Sequence, residues 1–89
     1  MSEQEPQNNE DEKKPGVLSE RTENNYFIIH ILWIDGHESD MYIPTGGFPV
    51  VNPETQQRIG FLKGEEAVAI LRRETTTKTK KEIRWADYL

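Results

Sequence analysis

The chain changes character at Asn24-Asn25. Residues 1–25 are dominated by Glu, Gln, Asn, Lys and other polar types, with Val17 and Leu18 as the only aliphatic side chains. Tyr26-Phe27-Ile28-Ile29-His30-Ile31-Leu32-Trp33-Ile34 then forms the densest run of core-forming residues in the sequence. A stretch that buries little cannot offset about 1–2 kcal/mol of backbone entropy per ordered residue. The expectation is a disordered acidic leader over residues 1–24 and a single small domain over residues 25–89.

A domain of that size sits near the lower limit for a core without covalent staples. The chain has no cysteine, so neither disulfides nor a thiolate metal site can add stability. Phe27, Ile29, Ile31, Trp33, Ile43, Val50, Ile59, Phe61, Val68, Leu71, Ile83 and Trp85 supply an adequate core with little to spare. Such a core often goes with dimerisation or partner binding.

The one apolar run ends at Asp35, well short of the roughly 20 residues a membrane helix needs. The acidic N-terminus lacks the apolar region of a secretory signal. A cytoplasmic or viral intracellular location is therefore expected, with no membrane contact. A net charge of −5 weighs against nonspecific affinity for nucleic acid.

Charge is unevenly placed. Acidic residues outweigh basic ones before Asn24, whereas Arg72, Arg73, Lys78, Lys80, Lys81 and Arg84 face only Glu74 and Glu82 near the other end. Either the acidic tail shields the basic segment until a better anion arrives, or both are ordinary solvated surfaces.

Tyr26–Ile34 reads as a strand, with Phe27, Ile29, Ile31 and Trp33 on one face and Tyr26, Ile28, His30, Leu32 and Ile34 on the other. A strand apolar on both faces is either central and covered twice, by the helix or by a second subunit, or keeps one face for a partner, so self-association through this strand is one expectation. Asp35-Gly36 predicts a hairpin into Ser39–Ile43, and Pro44-Thr45-Gly46-Gly47 ends that strand. Phe48–Val51 and Arg58–Leu62 read as further strands around an Asn52-Pro53-Glu54-Thr55 turn.

Residues 64–74 carry two Glu in the first turn and two Arg in the last, matching a helix macrodipole. The threonine-rich stretch leading to Ile83 and Trp85 predicts a fifth strand over Lys78–Trp85. The expected fold is α+β, a small antiparallel sheet in the order ββββαβ with one helix packed on it.

Catalytic chemistry finds no foothold, and neither a catalytic residue nor a cofactor is assigned. His37 lies in a polar turn whose spacing matches no metal-binding loop, and Ser39 is not placed to share a proton with it. Gly46-Gly47 lacks the Lys and following helix of a phosphate loop. The basic segment beside Trp85 and Tyr88 could contact phosphates and stack a base, so a nucleic-acid-associated module is one alternative.

Lys80-Lys81-Glu82-Ile83-Arg84-Trp85-Ala86-Asp87 resembles the short basic–x–Val/Ile–x–Phe/Trp motif by which many eukaryotic regulators dock on protein phosphatase 1. That resemblance implies a docking strand built on Lys81, Ile83 and Trp85, the same apolar residues the core wants. The leading expectation is a noncatalytic protein-binding module: a small inhibitor, adaptor or accessory subunit, including phage-type host-factor modulators. Its candidate contact residues are Arg72, Arg73, Lys78, Lys80, Lys81, Arg84, Trp85 and Tyr88.

Overall fold

The computed structural model describes residues 13–89. Two hairpins build its larger sheet. Strand β1 (Gly16–Glu23) turns at Asn24 and Asn25 into β2 (Tyr26–Leu32), with φ of 52° and 68° at the two asparagines. Positive φ at both central residues is the type I′ signature, whose twist suits a two-residue hairpin, and Asn tolerates it better than most residues. Strand β2 continues through a turn closed by the Gly36 N–H on the Trp33 carbonyl (2.9 Å) and the Trp33 N–H on the His37 carbonyl (2.7 Å). Gly36 takes a φ of 91° there, the left-handed position that the Asp35-Gly36 signal predicted. Strand β3 (Glu38–Pro44) completes an antiparallel sheet in the order β1-β2-β3.

Strand β1 overturns the expected leader boundary. Residues 16–23 are paired along β2 from Gly16↔Leu32 to Glu23↔Tyr26, with one irregularity between Val17 and Ser19. The strand contributes little to the core; beyond Gly16 and Val17 its residues are exposed. It is held by backbone bonds, which form irrespective of side-chain polarity, so composition alone underrates it. The disorder expected of residues 1–12 lies outside the described residues.

Strands β4 (Phe48–Val51) and β5 (Arg58–Leu62) form a separate antiparallel pair. Their connection follows turn chemistry: the Asn52 side-chain oxygen accepts the Glu54 N–H at 2.8 Å, fixing the chain before Gln56 adopts a φ of 65°. Helix α1 (Gly64–Glu74) starts where the Glu66 carboxylate accepts the Lys63 backbone N–H at 3.0 Å. Gly64 has no room for a side chain, because a Cβ would stand 2.5 Å from the Pro44 carbonyl oxygen. The helix thus begins pressed against the end of β3.

The helix lies on one face of the three-stranded sheet. Ala67, Val68 and Leu71 are buried with Ile29, Ile31, Trp33 and Ile43, and Val17, Phe27 and Met41 pack at the margin. Burying an aliphatic side chain of this kind is worth about 1.5–3 kcal/mol. A second group, Val50, Leu62 and Ile70, joins the β4–β5 pair to the same helix, and Phe48 and Trp85 pack against both groups. The domain is α+β, with antiparallel strands and one packed helix, as expected, but the strands divide into two sheets.

The expected last strand fails to form. Lys78–Trp85 is not a fifth strand; the chain makes 3₁₀ turns at Lys80–Glu82 and Trp85–Tyr88. The threonines explain it. The Thr75 and Thr76 hydroxyls donate back to the Leu71 and Arg73 carbonyls at 2.6 and 3.0 Å, and the Glu82 carboxylate accepts the Thr79 N–H at 2.8 Å. Local side-chain bonds of this kind compete successfully with extended backbone.

On the opposite face of β2 no described element forms a second layer. The helix covers only the Ile29, Ile31 and Trp33 face, leaving Tyr26 and Ile34 exposed. Ile28 on the uncovered face is nevertheless buried, between Arg21 and Tyr42 on the flanking strands. Strand β2 is the central strand, so both its edges are paired and edge-on self-association through it is closed.

Candidate binding cleft

Strands β3 and β4 are joined by only Thr45, Gly46 and Gly47, a connection short enough for a hairpin. The Gly47 N–H donates to the Pro44 carbonyl at 2.9 Å, and Gly47 adopts a φ of 95° where a side chain would strike the Leu62 carbonyl. Despite this tight turn the two strands do not pair. Strand β3 belongs to one sheet and β4 to the other, so they diverge from the turn and leave a cleft of about 440 Å³ between them.

Met41 to Pro44 form one wall and Phe48 to Val51 the other, with Pro53 at the rim. Ile83, Arg84, Trp85 and Ala86 close the cleft from the C-terminal turns. Trp85 meets Phe48 edge to face, ring centroids 5.3 Å apart at 69°, an arrangement the aromatic quadrupoles favour. Tyr42 and Val51 keep 57% and 44% of their surface exposed beside it. Among the described residues lining the cleft, Arg84 carries the one formal charge.

Among the described residues, β3 has a ladder partner on one edge only. Its ladder to β2 is bracketed by Thr45 N–H on the Asn25 carbonyl (2.9 Å) and Trp33 N–H on the His37 carbonyl (2.7 Å). With the register Ile43↔Phe27, Met41↔Ile29 and Ser39↔Ile31, the two-residue alternation assigns the inward bonds to the odd-numbered residues. Asp40 and Tyr42 therefore aim their N–H and C=O groups away from β2, along an edge that no described strand occupies.

The charged candidates do not form one patch. Arg72 is clamped by Glu20 through two bonds of 2.7 Å, while Arg73 at 3.1 Å and Lys78 at 3.6 Å share Glu74. Lys80 and Lys81 are exposed beside Trp33 and His37, at the tip of the β2–β3 turn. Tyr88 is half-buried near Phe61 and Ile70, and burial pushes its phenol above the usual tyrosine range. Only Arg84 and Trp85 reach the cleft. Tyr42, Pro49 and Val51 were missed because their position depends on two strands failing to pair, which no local pattern announces.

His30 forms a separate polar cluster on the uncovered sheet face. Its Nδ1 lies 2.7 Å from Asp40 and its Nε2 2.9 Å from Glu38, and these hydrogen bonds, Asp40 foremost, raise its pKa above the ordinary histidine value. Both ring nitrogens donate when the ring is protonated, so the arrangement favours the charged ring. Among the described residues no group of His, Asp and Glu has the placement to hold a metal ion. No described helix is long and apolar enough to cross a membrane.

Compared with protein-family models, curated proteins and solved structures, the chain matches none at a significant level.

Proposed function

We propose that the chain is a noncatalytic protein-binding module, of the kind that serves as a small inhibitor, adaptor or accessory subunit, and that the β3–β4 cleft is its contact surface. One observation carries this reading. Tyr42 and Val51 stay open to solvent on either side of an apolar cleft whose base, Phe48 and Trp85, is already packed. Exposed apolar patches rimmed by polar residues mark sites of protein interaction or ligand-binding grooves.

The nucleic-acid reading loses its footing in the ion pairs of Arg72, Arg73 and Lys78, which leave Lys80, Lys81 and Arg84 as a thin electrostatic footprint. Docking on a phosphatase would require Ile83 and Trp85 to leave the groups they pack against.

The test is affinity capture from cells of the source organism with wild-type chain and with Val51→Glu as bait. Stoichiometric recovery of one protein by the wild type, lost with Val51→Glu at unchanged melting temperature, is the expected result. Equal recovery by both baits, or oligonucleotide binding that falls steeply with salt, would overturn it.

A further inference from the structure

We infer that the cleft takes its partner by strand addition: an extended segment of another protein, apolar at alternate positions and bearing a carboxylate beside Arg84, pairs with the free edge of β3. This rests on the binding-module reading above and specifies how the module binds.

The backbone supplies the first argument. Asp40 and Tyr42 present N–H and C=O groups toward an edge that no described strand occupies, spaced as one repeat of an antiparallel or parallel ladder. Unpaired edges are templates for another strand, and main-chain bonds supply affinity while flanking pockets read alternate side chains. The opposite wall is less apt as a template, since Pro49 contributes no N–H. An inserted segment would bond to β3 and rest its side chains against Pro49 and Val51.

The other occupants fit poorly. Residues 1–12 offer Met1 and Pro6 as their only apolar side chains, too few to fill this cleft. A second copy would bring a whole sheet edge, and β4 stands across the cleft from β3. A slim, single extended segment meets neither obstacle.

Charge selects further. Arg84 is exposed, is the one formal charge among the lining residues, and follows Lys80 and Lys81 by a few positions. A matching carboxylate would be favoured at the end of the cleft that Arg84 occupies, and would set the orientation of the segment.

A display library of random decapeptides, selected on the immobilised full chain, tests the inference. Enriched peptides are expected to alternate apolar and polar residues around an Asp or Glu, and to bind as synthetic peptides in fluorescence anisotropy. Arg84→Glu should weaken them by about tenfold, the scale of one charge-assisted bond. Tyr42→Pro removes an outward donor and should do likewise. Because that variant can disturb β3, the decisive measurement leaves the protein untouched: backbone N-methylation is walked along the peptide. Loss of binding at every second position supports strand addition. Uniform tolerance of N-methylation overturns it while leaving the binding-module reading intact, and so does failure to enrich any peptide when a partner protein is captured. Failure of both peptide selection and partner capture overturns the two readings together.

Discussion

Glu20 and Arg72 form a two-pronged ion pair across 52 residues of chain, with Nε and Nη2 of the guanidinium each 2.7 Å from a carboxylate oxygen. The pair fastens β1 to the last turn of helix α1. The Arg72 hydrogen bond holds the Glu20 carboxyl below its usual range, so its contribution is present above ordinary carboxylate pKa values and is lost as pH falls through the lowered one. Half-exposed pairs of this kind are worth little alone. The expected outcome is a small loss of melting temperature in Glu20→Gln at pH 7 that vanishes in acid and shrinks in high salt. Deleting residues 1–23, by contrast, strips β2 of a hydrogen-bonding edge and should abolish cooperative melting altogether.

His30 gives the opposite pH sign. Its hydrogen bonds to Asp40 and then Glu38 favour the charged ring, so the stabilisation is full below the ordinary histidine pKa of about 6.5. It is lost as pH rises through the raised value. Melting temperature should fall between about pH 6.5 and the upper end of the histidine range in the wild type. The His30→Gln variant should be flat there, and parallel profiles would count against the imidazolium.

Trp33 is 1% exposed, and its indole N–H donates to the Ser39 hydroxyl at 2.9 Å. Ser39→Ala leaves that buried donor unpaired, at a cost of about 1–3 kcal/mol. Urea denaturation should show it as a lower midpoint with unchanged slope.

Trp85 divides structure from contact. Its ring packs on Phe48 and touches both buried groups, so Trp85→Ala should lose about 2–3 kcal/mol, less than a fully buried tryptophan because the ring is only half covered. An unchanged melt with abolished partner binding would reassign it to the interface alone.

What could be read in advance follows from how local each signal is. The helix at 64–74, the strands at 48–51 and 58–62 and the Asn52 turn rest on spacing and turn chemistry within a few residues, and the structure places them there. Strand β1 was invisible to a reading based on apolar content, because β2's backbone holds it and its side chains face solvent. The Asn24-Asn25 pair carries a hairpin signal as well as marking the change in composition. Threonines 75 and 76 misled in the other direction: their β propensity gave way to hydroxyls that bond back to the helix end. The cleft was legible only through Arg84 and Trp85, since its walls exist because β3 and β4 part company.

The Asn24-Asn25 turn also bears on the order in which the molecule assembles. Strands β1, β2 and β3 are joined by two tight turns, so their pairing requires closure of very short loops, which takes microseconds. Helix α1 and the turn holding Trp85 must be brought back over much greater lengths of chain before Phe48 is covered. The meander is thus the expected nucleus and the closing turn a late event. In stopped-flow measurements Asn25→Ala should chiefly slow refolding, whereas Trp85→Ala should chiefly hasten unfolding. The lifetime of the folded chain would then be set at its aromatic clasp, far from the turn that starts it.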